Sequence, residues 1–253
     1  MSKRCLKLLV VLGMGIALVV FFSAGIIRAQ VNPEEIIEKS IAAQGGREVL
    51  EGVKDTVTTL SIKIFTPQGE YLGERTAYTK SEPMKVRIEQ TMMGVQTIIG
   101  YDGQTAWLEQ MGRVMVAPQA IMDSIKASEI REDLLLKYKE KGCSVEYLGE
   151  DKVDERTCHM IKLTDKEGNE TIFCFDSETY YVIKSEFQVP DERTGEMVKN
   201  AVINSDFRQV EKMMVPFKIE AFVRGEKVME SVINEVKINQ GLDDALFSMP
   251  EQK

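Results

Sequence analysis

The stretch Met84-Lys-Val-Arg-Ile-Glu-Gln-Thr-Met92 decides the fold class, because apolar and polar side chains alternate along it. A period of two residues is typical of a β-strand with one buried face, since successive strand side chains point to opposite sides of a sheet. We therefore predict two faces, one carrying Met84, Val86 and Ile88 and the other carrying Lys85, Arg87 and Glu89.

The same alternation, divided by turns, continues in both directions from this strand. Upstream, Leu60, Ile62 and Ile64 alternate with polar residues before a turn at 66–69. Downstream, two apolar segments flank Asp102-Gly103, which is a hairpin signal. We predict a meander of five strands before residue 110, and seven further strands between residues 143 and 238.

Two regions have helical periodicity instead. Residues 33–53 follow Asn32, a good helix cap, and begin with Pro33, so we predict one helix there. Between residues 118 and 141 the apolar spacing predicts two short amphipathic helices, the first containing Ile121, Met122 and Ile125. The predicted protein is mainly β with helices (α+β), with one large antiparallel sheet that curls beneath a helical lid.

The first 29 residues have the pattern of a secretory signal peptide. Basic residues precede an apolar run from Leu8 to Ile27, which ends in Arg28-Ala29. We predict cleavage after Ala29 and a periplasmic protein with one domain at 30–253, although the run is also long enough for a membrane anchor. Cleavage leaves 28 basic against 40 acidic side chains, a net charge of −12. Such an acidic chain is not expected to bind nucleic acid through bulk charge.

No motif of a catalytic site, a metal site or a phosphate-binding loop occurs in the sequence. His159, the only histidine, has no acidic or serine partner at a familiar spacing. Cys143, Cys158 and Cys174 form no CxxC pair, and we interpret them as buried free thiols. We therefore expect no enzyme activity, no metal and no cofactor.

Methionine is abundant, and twelve of the 14 methionines follow residue 29. Its flexible side chain suits ordinary core filling and also suits surfaces that accept apolar ligands. A curled sheet has a concave side lined by alternate strand residues, and a helical segment inserted between its halves would cover it. Such a site would hold acyl chains, and its candidate residues are Ile62, Ile64, Met84, Val86, Ile88, Met92, Trp107, Ile121, Met122 and Ile125.

Several short motifs, in this order, resemble one known family. They are Tyr78–Lys85, Tyr101–Trp107, Phe207–Val210, Val215–Ile219 and Leu242–Pro250. Each motif is weak alone, but their order and spacing resemble the LolA-like outer-membrane lipoprotein-sorting proteins across nearly the whole mature chain.

The resemblance implies an incomplete antiparallel barrel closed by helices. It also implies a periplasmic carrier that takes acylated lipoproteins from an inner-membrane transporter to an outer-membrane acceptor. In the well-studied carriers an arginine before the strand-entry proline holds the lid shut, whereas here Glu82 precedes Pro83, so we assign the latch to no residue. The alternative is a regulatory module that senses lipids or lipoproteins in the cell envelope, and an enzyme acting on lipids ranks third.

Overall fold

Thirteen antiparallel strands form one sheet in the described part of the chain. The structure, a computed structural model, describes residues 31–132, 134–191 and 194–251, and for residues 126–132 it describes the backbone alone. The predicted signal peptide lies outside the described residues, so its cleavage stays a prediction. The strands are β1 Asp55–Thr66, β2 Gly69–Ser81, β3 Met84–Met92, β4 Val95–Tyr101, β5 Ala106–Gln110, β6 Arg113–Val116, β7 Ser144–Val153, β8 Arg156–Thr164, β9 Glu170–Asp176, β10 Val182–Pro190, β11 Met197–Val210, β12 Met213–Val223 and β13 Glu226–Ile238.

The strand order joins two meanders at the middle of the sheet. Strands β1 to β6 and strands β7 to β13 each pair in sequence, and β1 pairs with β13. The edges are β6 and β7, which do not pair with each other, so the sheet stays open. The predicted α+β fold with an incomplete antiparallel barrel is confirmed.

The first meander has six strands and not the predicted five. The additional strand β6 follows a turn at Met111-Gly112, where both residues have positive φ (51° and 73°). Two such residues form the tight turn that suits a β-hairpin. Four residues are too few for alternation to reveal a strand, which is why the sequence analysis missed it.

The N-terminal helix is shorter than predicted. Helix α1 spans Pro33–Ala43, and a separate short helix α2 spans Arg47–Glu51. Asn32 caps α1 as expected, because its side-chain oxygen accepts a hydrogen bond from the Glu34 amide at 3.0 Å. Gly45 and Gly46 end α1 with φ of 128° and 88°. A Cβ on Gly45 would lie 2.5 Å from the Lys212 carbonyl oxygen, so a glycine is required at this break.

The region between the two meanders contains one helix and not two. Helix α3 spans Gln119–Glu132, and the residues from Leu134 to Gly142 form turns. Leu134 and Tyr138 are nevertheless buried against α1. The Arg47 guanidinium donates a hydrogen bond to the Leu136 carbonyl at 2.6 Å. Side-chain packing and this contact, rather than a helix, therefore order the segment.

Helices α1 and α3 cover the same face of the sheet, which we call the inner face. In one cluster, Ile36, Ile37 and Ile41 of α1 pack against strands β8 and β9. In the other, Ile125 of α3 packs against strands β3, β4 and β5. Directly opposed residues of two paired strands lie on the same side of the sheet. The strand pairings from β4 to β8 therefore place both clusters on one side.

Cys143, Cys158 and Cys174 are free thiols, as interpreted from the sequence, but Cys143 is half-buried and not buried as expected. Cys158 and Cys174 are buried on the outer face, the side opposite α1 and α3. Burial raises the pKa of both thiols, and a hydrogen bond between them raises that of Cys174 further. Both are therefore protonated thiols that fill the core at neutral pH.

Candidate functional site

The inner face of strands β1 to β3 is lined mainly by apolar and small uncharged side chains, and Arg75 is its one charged residue. In β1 to β3 they include Thr58, Leu60, Ile62, Ile64, Ala77, Met84, Val86, Ile88 and Met92. Charged side chains of the same strands, such as Lys63, Lys85 and Glu89, point to the outer face. The inner face therefore has the chemical character expected of a site for an apolar ligand.

Helix α3 is the cover of this part of the inner face. Ile125 is 7% exposed and packs against Val86, Tyr101 and Ala106. Ile121 and Met122 are half-buried against the same cluster, whereas Asp123 and Ser124 are exposed. One side of a single helix therefore makes the apolar contact with the sheet.

Six of the ten predicted site residues meet in this cluster. They are Met84, Val86, Ile88, Ile121, Met122 and Ile125. Ile62, Ile64 and Met92 lie on the same face outside the cluster, and Ile62 is only 2% exposed. The strand-face prediction for β3 is confirmed, and a ligand-binding role for these nine residues stays a prediction.

Trp107 is not brought together with the other candidates, because it lies on the outer face. It stands opposite Gly100, next to the pair Tyr101 and Ala106 that faces α3. The indole is fully buried and donates a hydrogen bond to the Phe247 carbonyl at 2.8 Å. A Cβ on Gly100 would lie 2.0 Å from the indole ring, so the ring packs flat on the strand backbone. Trp107 thus anchors the C-terminal segment.

A cavity of about 1110 Å³ opens at the end of the sheet where β1 and β2 meet α2 and the turns after α3. Its lining is mixed, with Leu50 and Leu135 among the apolar residues and Lys80 and Glu140 among the charged ones. The volume is slightly above the range of about 300–1,000 Å³ that is typical of small-molecule sites. The sequence analysis did not find this cavity, because its walls come from segments far apart in the chain.

One ion pair links the turns after α3 to the hairpin between β2 and β3. Lys137 Nζ lies 3.1 Å from Glu82 Oε1, and Glu82 is the residue before the proline to which no latch role was assigned. The Glu82 side chain is 81% exposed, and exposed ion pairs contribute about 0–1 kcal/mol. The contact is therefore weak and easily opened.

The sequence analysis also did not single out Arg75, the one charged residue on the inner face of β1 to β5. It follows Gly73 and precedes Ala77 at inner-face positions of β2, whereas Glu74 and Lys80 lie on the outer face. The alternation within β2 predicts on which face Arg75 lies, but only the strand register shows that this face has no other charge in β1 to β5.

His159 lies beside a tyrosine and a glutamate of β7. Its Nδ1 lies 3.3 Å from the Tyr147 hydroxyl and 3.6 Å from a Glu150 carboxylate oxygen. Within the described ranges there is no cluster of three or more His, Cys, Asp or Glu side chains that could hold a metal ion. Among the same residues, no helix is long and apolar enough to cross a membrane.

Three solved structures share this fold across most of their length. A domain from Vibrio parahaemolyticus named for outer membrane lipoprotein sorting is 14% identical with a TM-score of 0.52, covering 85% of this chain and 95% of its own. A DUF1329 family protein from Desulfovibrio piger is 13% identical with a TM-score of 0.56, covering 86% and 98%. A LolA superfamily protein from Nitrosomonas europaea is 12% identical with a TM-score of 0.54, also covering 86% and 98%.

At these identities the likeness establishes the fold, and the predicted LolA-like fold is confirmed. No curated protein matches the sequence. The profile of a protein family described as "Uncharacterized protein" matches residues 74–251, from β2 to the residue after Pro250. The chain therefore has the LolA-like fold and belongs to this family of uncharacterized proteins.

Proposed function

We propose that the protein binds the acyl chains of lipoproteins or lipids on its inner face, beneath α3, and carries them through the periplasm. The observation that carries the proposal is a largely apolar sheet face under a helix that contacts it through Ile121, Met122 and Ile125. The fold supports the proposal, because a protein with the same fold is named for outer membrane lipoprotein sorting.

Apolar burial is sufficient for transient carriage. Each buried methylene contributes about 0.8 kcal/mol, so about ten methylenes contribute roughly 8 kcal/mol before ordering costs. An acyl chain that inserts between α3 and the sheet would contact Ile121 and Ile125 and leave the strands in place. Binding would then move α3 and involve no covalent step, and the protein would act without catalysis.

The proposed carrier role requires export to the periplasm and two partner proteins, one that loads the carrier and one that unloads it. Cleavage after Ala29 would release the protein into the periplasm, where an inner-membrane transporter would load it and an outer-membrane acceptor would unload it. The intact mass of the exported protein tests the first step: a mass that begins at Gln30 supports it, and a mass that retains residues 1–29 contradicts it.

Binding is tested with a fluorophore attached to a cysteine at position 124, in a protein with its native cysteines replaced by alanine. Ser124 is exposed and lies on the side of α3 away from the sheet. Adding a diacylated peptide should change the emission of the probe, because α3 would move, and the peptide's mass should remain unchanged.

Two matched variants then distinguish the side of α3 that contacts the sheet from its exposed side. Changing Ile121 and Ile125 to Ser should weaken binding of the diacylated peptide at least tenfold, because it removes apolar contact. Changing Gln119 and Asp123 to Ser should leave affinity within twofold, since their mutual 2.8 Å hydrogen bond is exposed. No binding by the unmodified protein, or an unchanged affinity in the isoleucine variant, would contradict the proposal.

A further inference from the structure

Charge is distributed very unequally between the two faces of the first five strands. In β1 to β5, all of which the structure describes, nine charged side chains lie on the outer face: Asp55, Lys63, Glu70, Glu74, Lys80, Lys85, Arg87, Glu89 and Glu109. On the inner face of the same strands Arg75 is the single charged residue. A cation at that position is unfavourable unless it is paired, because burying an unpaired charge costs free energy.

Arg75 forms its hydrogen bonds with a neutral side chain, that of Gln90. Its Nε and Nη2 atoms donate hydrogen bonds to the Gln90 side-chain oxygen at 3.1 Å and 2.6 Å. No carboxylate among the side chains that the structure describes forms an ion pair with it. Burial lowers the pKa of Arg75 from its ordinary value. The Gln90 oxygen therefore satisfies part of the guanidinium, but no described carboxylate neutralises its charge.

The guanidinium is oriented and still has free hydrogen-bonding capacity. Two of its five N–H groups bond to Gln90, which holds the plane of the group in place. The fork of an arginine matches the two oxygens of a carboxylate or phosphate, and such charge-assisted bonds are stronger than neutral ones. Arg75 is thus suited to an anion in a way that a lysine would not be.

Arg75 also borders the region covered by α3. The next inner-face residue on β2 is Ala77, and Ala77 stands opposite Ile88, which packs in the α3 cluster. Consecutive inner-face positions on a strand are about 7 Å apart. A ligand with its apolar chain beneath α3 could therefore place its polar end at Arg75.

We propose that Arg75, oriented by Gln90, binds the anionic group, a carboxylate or a phosphate, of an amphiphile whose acyl chain lies on the apolar inner face. This inference rests on the proposed function and specifies its ligand class: anionic amphiphiles are preferred to neutral ones with the same chain. Arg75 is the residue that determines the preference.

The test compares probes that differ only in the polar group. Calorimetry of the mature chain is performed with myristate, 1-myristoyl lysophosphatidic acid and neutral 1-monomyristoylglycerol, below their aggregation concentrations. Inorganic phosphate and acetate serve as anions without a chain. The variants are Arg75→Gln, which removes the charge, and Arg75→Lys, which keeps the charge without the fork. Lys63→Gln is the matched control, because it removes one positive charge from the outer face of the adjacent strand.

We expect the unmodified protein to bind at least one anionic amphiphile about ten- to a hundredfold more tightly than the monoglyceride, the range expected of charge-assisted hydrogen bonds. Arg75→Gln should abolish this preference and leave monoglyceride affinity within twofold. Arg75→Lys should retain part of the preference, and Lys63→Gln should retain all of it. Tight binding of myristate alone would identify the group as a carboxylate, and tight binding of the lysophosphatidic acid alone would identify it as a phosphate.

Three results would overturn the inference. An Arg75→Gln variant that keeps the preference, or one that loses affinity for anionic and neutral amphiphiles alike, would show that Arg75 is structural, while acyl binding itself would stand. Phosphate that binds as tightly as the lysophosphatidic acid would show a site for the free anion. If none of the three amphiphiles binds, the proposed function fails together with this inference.

Discussion

At the scale of single residues, the side of the sheet to which a side chain points decides what it contacts. Ile88 packs on the inner face in the α3 cluster. Its neighbours on the outer face, Arg87 and Glu89, form a 2.7 Å ion pair with each other, and Arg87 donates a hydrogen bond to the Leu246 carbonyl at 3.2 Å. A substitution at Ile88 would therefore remove apolar packing, whereas one at Arg87 or Glu89 would remove polar contacts.

We predict that Ile88→Asp lowers the free energy of unfolding by about 2–3 kcal/mol, because it places a charge in an apolar cluster. Glu89→Ala should lower it by less than about 1 kcal/mol, because a partly exposed ion pair contributes little. Chemical denaturation of both variants at pH 7 measures the difference. Equal, small effects would contradict the assignment of Ile88 to a packed face.

At the scale of elements, the C-terminal segment closes the outer face of the first meander. A short 3₁₀ turn at Asp244–Phe247 buries Phe247 completely and offers its carbonyl to Trp107. Upstream, the Asp55 carboxylate accepts hydrogen bonds from the backbone amides of residues 240 to 242, at 2.6–3.3 Å. The segment is thus fixed at both ends to strands from the first half of the chain.

Truncating Phe247, which anchors this segment, should lower the stability of the protein. We predict that Phe247→Ala lowers the free energy of unfolding by about 3–5 kcal/mol, the range for truncating a fully buried phenylalanine. It should also expose Trp107 to solvent, which shifts tryptophan fluorescence to longer wavelengths. The exposed neighbour provides the control: Ser248→Ala should change stability by about 0.5 kcal/mol or less. Native-like emission and stability in Phe247→Ala would contradict the anchoring role.

At the scale of the whole molecule, the two meanders are joined through strands from opposite ends of the described chain. Strand β1 pairs with β13, and Asn234 donates a side-chain hydrogen bond to Ser61 at 3.1 Å. These strands lie at the centre of the sheet, whereas β6 is a four-residue strand at its edge. Stability should therefore fall from the centre to the edge.

Hydrogen exchange should reveal this gradient. We predict that amides of β1 and β13 exchange most slowly, because both strands are paired on each side and open only with the whole sheet. Amides of β6 should exchange fastest among the thirteen strands, since an edge strand this short opens locally. Mass spectrometry of peptic fragments measures the rates, and uniform protection across the sheet would contradict the prediction.

The sequence by itself determined the features that depend on neighbours in the chain. Alternation between Met84 and Met92 gave β3 its two faces, Asp102-Gly103 marked a turn, and Asn32 capped α1 where expected. These features were predictable because the physical cause, side-chain period or turn conformation, lies within a few residues.

The tertiary structure decided which segment covers each face. The segment from Leu134 to Gly142 forms turns and not a helix: Leu134 and Tyr138 pack against α1, and Arg47 donates a hydrogen bond to the Leu136 carbonyl between them. Trp107 was predicted to face the ligand and instead lies under Phe247, 140 residues away. Arg75 became exceptional only once the register showed it on a face without other charges in the first five strands. Strand pairing and long-range packing set these environments, and no local pattern in the sequence specifies the distant partner.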